Sequence, residues 1–202
     1  MGLSFHYRGS INKYSEIDQL LTEVEDICKS LQWDYHILNK EGAVNTANAD
    51  DPKFINYSIK DLRGISVSPE ESEPLSLTFL PNKNLCCPAK LMVNDPVTND
   101  LTIEVIHTKT QFAGPDTHIA LMKLLKYLKE KYIHNLDVND EGLYWDEWNK
   151  EILLSQFEKY NMALDMITGA LSGFKSKPGE DVHSFAGRLE KLLLKKLNGD
   201  KS

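Results

Sequence analysis

Several polar side chains in this sequence are of the types that bind ligands or transfer protons in proteins. They lie in a short N-terminal segment, around a glycine-proline pair in the middle of the chain, and in an acidic turn before a group of aromatic residues. These ligand-binding candidates are His6, Arg8, His107, Lys109, Gln111, Asp116, His118, Asp140 and Glu141. Arginine offers a planar fork of N–H donors and lysine a point charge, so the set favours recognition of a small carboxylate or phosphate.

The middle segment supports an anion site in a second way. Apolar residues alternate along 101–106 as in a buried strand, and extending that face brings His107, Lys109 and Gln111 toward the core. Pro115 then suits the first turn of a helix. Because the free N–H groups and the positive dipole end of a helix start favour an anion, this segment is the first place to expect one.

Both observations also have purely structural interpretations, which the sequence leaves open. Asp116 and Thr117 can cap their own helix instead of helping to bind a ligand. Arg8 can pair with Asp140 or Glu141 and fasten the acidic turn to the sheet. In that case the charged groups stabilise the fold and bind nothing.

The histidines also suit general acid–base chemistry, because free imidazole has a pKa of roughly 6.5. Such a histidine needs only one neighbouring carboxylate to act as a general acid or base. His6, His107 or His118 with Glu141, with or without a metal ion, would form a hydrolase-like site. The chain lacks an H-E-x-x-H motif, paired cysteine spacings and a G-x-S-x-G elbow, so we predict no metal site and assign no catalytic residue. The dinucleotide and P-loop glycine patterns are absent too, and the cofactor is left open.

Aromatic residues after the acidic turn indicate a third type of site. Tyr144, Trp145 and Trp148 are interface candidates, because tryptophan and tyrosine are enriched among the residues that anchor protein partners. At helical spacing the same residues also fit a buried core. A flat apolar patch on the surface would favour a protein partner.

Composition and charge narrow the classes of function. With 202 residues, 41% of them hydrophobic, the chain has the composition of an ordinary globular protein. Its net charge of −7 argues against nucleic-acid binding, which usually shows a strongly basic face. No long apolar window and no basic leader occur, so we expect neither a membrane span nor export, and therefore a cytoplasmic location. The oligomeric state is left open.

Hydrophobic periodicity predicts an α+β fold, with an antiparallel sheet of about five or six strands, an N-terminal helix and C-terminal helices packed on the sheet. Residues 1–145 are expected to form the α+β domain, and 146–202 a C-terminal helical extension packed on the same domain. Residues 39–60 lack periodicity and are predicted to be a long loop. The predicted strands are 3–8, 33–38, 62–68, 74–80, 85–93 and 101–110, and the predicted helices are 15–31, 115–132, 146–171 and 181–197.

Four segments together resemble a family of uncharacterised bacterial proteins of similar length. They are FHYRG at 5–9, KTQFAGP at 109–115, LLKYL at 124–128 and DEGLYW at 140–145, and the resemblance spans residues 3–160. It implies no activity, cofactor or catalytic residue for this chain. One position departs from the family: Gly-Gly-Tyr is the commoner form there, and Leu143 takes the second place here, so this turn has less backbone freedom.

These observations favour a cytoplasmic, non-catalytic binding or regulatory module that recognises a small anionic ligand or a protein partner. The alternative is the hydrolase-like enzyme with a histidine and a carboxylate. A shared cavity around His6, Arg8, Lys109 and Asp140 would support one composite site.

Overall fold

The structure is a computed structural model that describes residues 2–38, 59–93, 104–172, 175 and 179–197. Short 3-10 turns at Tyr14–Glu16 and Ile59–Asp61 accompany its strands and α-helices. The strands are β1 (Ser4–Arg8), β2 (Asp34–Leu38), β3 (Arg63–Ser68), β4 (Leu75–Phe79), β5 (Ile106–Lys109) and β6 (Asp137–Asp140). The helices are α1 (Ile17–Leu31), α2 (Pro88–Val93), α3 (Gly114–Lys131), α4 (Tyr144–Glu147), α5 (Lys150–Ser172) and α6 (Val182–Leu197).

The chain divides into two compact units, Met1–Gln156 and Phe157–Ser202, with the boundary inside α5. The first unit contains all the described strands and α1 to α4. The second contains the end of α5 and all of α6, whose first turn is capped by the Asp181 carboxylate through the backbone N–H groups of His183 and Ser184. Among the described helices, none combines the length and the apolar character that crossing a membrane requires. The predicted division into 1–145 and a packed extension 146–202 stays a prediction.

β1 is the central strand of the first sheet and lies antiparallel between β5 and β6. Its residues alternate, so Phe5 and Tyr7 are buried in the core while His6 and Arg8 lie on the opposite face. His6 is in register with His107 of β5, so the first and the late strand are neighbours, as a composite site requires.

The second sheet has the antiparallel order β2-β3-β4, and every residue of β4 is buried. Tyr7 of β1 reaches this strand, where its hydroxyl donates a hydrogen bond to the Ser76 carbonyl at 3.0 Å and accepts one from the Ser76 N–H at 2.8 Å. Burial raises the pKa of the Tyr7 phenol well above its ordinary value. The hydroxyl therefore stays protonated and links the two sheets through one backbone unit.

A polar cluster joins α1 to α3. α1 buries one apolar stripe and turns Glu23 toward α3, where the carboxylate accepts hydrogen bonds from Tyr127 Oη at 2.5 Å and from Lys131 Nζ at 2.6 Å. Desolvation by itself would raise the pKa of Glu23, but these donors outweigh it and lower the pKa to about 2. The cluster therefore favours the charged carboxylate across the physiological range.

The α+β fold is confirmed, but the prediction of one antiparallel sheet of about five or six strands needs correction. The described strands form two three-stranded sheets instead. β2, β3 and β4 pair with their neighbours in the chain, whereas β1 pairs with strands far downstream. Local periodicity identifies strands, but it does not say which strands become partners.

Two of the predicted elements also differ. The predicted strand 85–93 turns at Pro88 into α2, because proline suits a first helical turn and cannot donate to a sheet. Residues 137–140, which looked like part of an acidic turn, form β6. Most of the predicted long loop, residues 39–58, lies outside the described residues, as do 101–103 at the start of the predicted late strand.

Candidate functional site

The two faces of the first sheet separate the predicted site residues into two groups. His6, Arg8, His107 and Lys109 of β1 and β5 lie on the open face. Asp140, the last residue of β6, lies on the buried face. Because successive side chains on a strand point to opposite faces, these groups do not converge on one shared cavity.

On the buried face, His118 of α3 is held between two hydrogen-bonding partners. Its Nε2 lies 3.2 Å from the Asp140 carboxylate and its Nδ1 lies 2.8 Å from Thr110 Oγ1. A carboxylate only accepts hydrogen bonds, so Nε2 carries a proton and donates it. His118 and Thr110 are fully buried and Asp140 is 2% exposed, so no substrate reaches this triplet in the structure.

The Asp140 carboxylate also organises the turn that follows it. It accepts hydrogen bonds from the backbone N–H groups of Gly142 at 2.7 Å, Tyr144 at 2.8 Å and Trp145 at 3.0 Å. Burial of Asp140 opposes its ionisation, but the hydrogen bond and charge of His118, together with these N–H donors, lower the pKa of the carboxyl below its ordinary value. Asp140 is therefore a charged structural anchor.

Three further candidates are also engaged within the protein. Gln111 is buried and its Oε1 accepts the N–H of Leu3 at 2.8 Å. Glu141 accepts the N–H of Ser4 at 2.8 Å and so extends the pairing of β6 with β1. Asp116, near the start of α3, pairs on the surface with Lys150 Nζ at 2.8 Å. The α3 start at Gly114, next to Pro115, agrees closely with the helix predicted from the sequence.

The open face of the first sheet carries an exposed polar cleft. His6 stands between His107, with ring centroids 6.0 Å apart, and its register partner Asn139 of β6. In the next pair on the same face, two residues along each strand, Arg8 Nη2 lies 2.9 Å from the carboxylate of Asp137. The cleft measures about 370 Å³. Arg8 thus has an acidic partner, but it is Asp137 and neither of the two predicted ones, Asp140 and Glu141.

A second surface site brings together lysines of α3 and the tryptophans around α4. We call it the Lys–Trp surface; it encloses about 450 Å³ and is lined by Lys126, Lys129, Glu130, His134, Trp145 and Trp148. Lys126 Nζ lies 4.1 Å from the ring centroid of Trp148, and Lys129 Nζ lies 5.6 Å from that of Trp145. Both distances are in the range of cation–π attraction.

The three interface candidates differ in their exposure at this surface. Tyr144 is buried and packs edge-on against Trp148 at 5.2 Å, so it supports the surface from below. Trp145 and Trp148 are partly exposed, with ring centroids 5.9 Å apart. Two tryptophans that remain at the surface are consistent with a binding role, since tryptophan is a common anchor in interfaces.

Local backbone geometry fixes the position of both indoles. Leu143 and Trp148, at the two ends of α4, adopt left-handed conformations with φ of 59° and 49°. Such conformations are costly for side chains with a Cβ and persist only where the surroundings enforce them. The carboxylate of Asp140 holds the N–H groups of Tyr144 and Trp145, directly after Leu143. The Trp148 N–H donates to the Tyr144 carbonyl at 2.9 Å.

The predicted site residues did not include several polar residues of these two surfaces, among them Asp137, Asn139, Lys126 and Lys129. The first two belong to β6, whose alternation of Asp, Val, Asn and Asp was the available signal. A run of lysines on the outer side of a helix is typical of a solvated face, so the sequence did not single out these two. Their spacing of three residues places them on one side of α3, and only the fold brings the tryptophans beneath them.

Comparisons with protein-family models, curated proteins and solved structures give no match for this chain. The resemblance to a bacterial family therefore stays a prediction. Within the described residues, no three His, Cys, Asp or Glu side chains form a group that could hold a metal ion.

Proposed function

We propose that this protein is a binding module without catalytic activity, which recognises an acidic segment of a partner protein through the Lys–Trp surface. The observation that carries the proposal is the pair of ammonium–indole contacts, Lys126 over Trp148 and Lys129 over Trp145, around one groove. Two cations and two anchor-type aromatics thus face one cavity in a chain whose net charge is −7.

The chemistry of the groove favours a carboxylate-bearing ligand with some apolar surface. The lysine side chains already lie over the indole rings, so each ammonium is held in place and still offers N–H donors to an incoming carboxylate. The remaining indole surface can take the apolar part of a neighbouring residue. Among the described residues of the lining, Glu130 is the one acidic residue, and the two lysines outnumber it.

A groove binds its ligand more tightly when its side chains are already held in the bound conformation, because ordering them on binding costs free energy. Here Asp140 and His118 fix the turn that carries the tryptophans, from the buried side of the sheet. Tyr144 packs beneath Trp148 and adds a second support. This preorganisation favours affinity for a short peptide segment.

The competing proposal is a hydrolase in which a histidine acts with Glu141. It has less support, because the Glu141 carboxylate accepts a backbone N–H of β1. The hydrogen-bonded pair of His118 and Asp140 has the right groups for acid–base chemistry but is closed to solvent. Binding is therefore the better-supported proposal.

The test is a titration with synthetic peptides that contain several glutamates and one phenylalanine, monitored by tryptophan fluorescence. Matched peptides with glutamine in place of glutamate measure the contribution of charge. Wild-type protein is expected to bind the acidic peptide, and the double variant Lys126→Gln/Lys129→Gln should bind it about tenfold more weakly, the range expected for loss of charge-assisted contacts.

The control is the double variant Lys13→Gln/Lys29→Gln, which removes the same charge from two exposed lysines elsewhere in the first unit. Its affinity should stay within about twofold of wild type. Equal weakening in both double variants would mean that only overall charge matters. No fluorescence change with any acidic peptide at millimolar concentration would also contradict the proposal.

A further inference from the structure

The cleft on the open face of the first sheet contains hydrogen-bonding groups that the described part of the fold does not use. The His6 ring contacts His107, and in the described part of the chain neither His6 nor Asn139 makes a side-chain hydrogen bond. Both line the cleft beside Arg8. An imidazole, an amide and a guanidinium thus stand together around about 370 Å³ of open space.

Arg8 is held in this cleft by a weak and replaceable partner. Its Nε and Nη2 both contact a single oxygen, Oδ2 of Asp137, and the side chains of the two residues are 66% and 63% exposed. An exposed ion pair of this kind contributes little to stability. Within the described residues, the other N–H groups of the guanidinium make no hydrogen bond. The pair therefore orients Arg8 and leaves donors for a ligand.

We propose that this cleft binds a small anion, a carboxylate or phosphate group, with Arg8, His6 and Asn139 as hydrogen-bond donors. Asp137 then orients Arg8 and competes with the ligand for it. Two nearby carboxylates are not among the described residues that line the cleft: Glu73 is 3.5 Å from His107, and the carboxylate of Glu141 accepts the Ser4 N–H. The site is separate from the Lys–Trp surface and does not depend on its proposed function.

The test compares Asp137→Asn with Arg8→Gln by isothermal titration with inorganic phosphate and, separately, with succinate. Removing the competing carboxylate should tighten anion binding severalfold, whereas removing the guanidinium should weaken it by at least about tenfold. The two ligands distinguish a phosphate site from a carboxylate site. Lys13→Gln, which removes a distant surface charge, serves as the control and should not change binding.

Two further arms separate this proposal from the one on the Lys–Trp surface. Lys126→Gln/Lys129→Gln should leave anion binding at the cleft unchanged, and Arg8→Gln should leave acidic-peptide binding unchanged. The cleft proposal is overturned if neither anion binds wild type or Asp137→Asn, if Asp137→Asn fails to tighten binding, or if Arg8→Gln binds as well as wild type. Arg8, Lys13, Lys126 and Asp137 are exposed and Lys129 is partly exposed. Circular dichroism verifies that each variant is folded.

Discussion

His118 Nε2 and the Asp140 carboxylate lie 3.2 Å apart in the buried interior of the first unit, and each belongs to a different element. His118 comes from α3 and Asp140 ends β6, while the same carboxylate holds the first N–H groups of α4. One hydrogen-bonded pair therefore connects a helix, a sheet and the turn that presents the two tryptophans. Its integrity is expected to determine both stability and the shape of the Lys–Trp surface.

Replacing Asp140 by Asn is expected to lower the free energy of unfolding by about 2–3 kcal/mol, because several buried donors lose a charged acceptor. Urea denaturation followed by tryptophan fluorescence measures the loss, and near-ultraviolet circular dichroism reports disorder of Trp145 and Trp148. Asp137→Asn makes the same chemical change on the exposed face and should alter stability by no more than about 0.5 kcal/mol. Equal losses in the two variants would contradict the role of Asp140 as an anchor.

Replacing Leu143 by Gly is expected to stabilise the protein by about 0.5–1 kcal/mol. The left-handed backbone of Leu143 costs about 1–2 kcal/mol for a residue with a Cβ, and the greater freedom of glycine in the unfolded chain cancels part of the gain. Leu143 is 42% exposed, so little packing is lost. Leu143→Ala keeps the Cβ and should bring no gain. Thermal and urea unfolding of both variants decide the question.

The neighbouring Gly142 shows how much of this turn could be anticipated. The sequence indicated an acidic turn at Asp140 and Glu141, and the family resemblance implied reduced backbone freedom at Leu143. It did not show that a Cβ on Gly142 would come within 2.6 Å of Leu153 Cδ1 and 3.1 Å of His118 Nε2. These close contacts arise from tertiary packing, which the residue spacing within the segment cannot predict.

The strands also differ in whether local sequence pattern or tertiary pairing determines them. The alternation of Phe5 and Tyr7 with His6 and Arg8 predicted β1 and its open polar face, because that pattern is local. β6 was missed because Asp and Asn are rare in strands and common in turns, and only pairing with β1 stabilises them in extended form. The inward orientation of Asp140 follows from that pairing, so it could not be predicted without β6.

The cluster around Glu23 predicts a defined dependence of stability on pH. The folded state holds the pKa of Glu23 at about 2, below its ordinary value of 4.5, so the ionised carboxylate stabilises the fold above the ordinary pKa. That contribution is lost as pH falls from about 4.5 to about 2. Urea denaturation across this range should show a smaller acid-dependent loss for Glu23→Gln than for wild type. Parallel pH profiles for the two proteins would refute the assignment.

The three cysteines are expected to differ in reactivity toward a thiol reagent such as a disulfide dye at pH 8. Burial raises the pKa of Cys28 to about 11 and that of Cys86 to about 12, and both side chains are closed to solvent. Cys87 is partly exposed and lines a surface groove. In the native protein about one cysteine per chain should therefore react rapidly and release its equivalent of dye, and the other two should react only after unfolding. Cys87→Ser should abolish the rapid phase, and its persistence would show that another cysteine is accessible.

The position of β1 has a consequence for how the chain acquires its structure during synthesis. Phe5 pairs with Thr108 on one side and with Asp140 on the other, so both partners of an early strand are made long after it. A nascent chain that ends before Asp137 leaves one edge of β1 unpaired. Contacts this distant in sequence slow folding, and open strand edges invite association with other chains. Completion of β6, late in translation of the first unit, is therefore the step that gives β1 its second partner and removes that hazard.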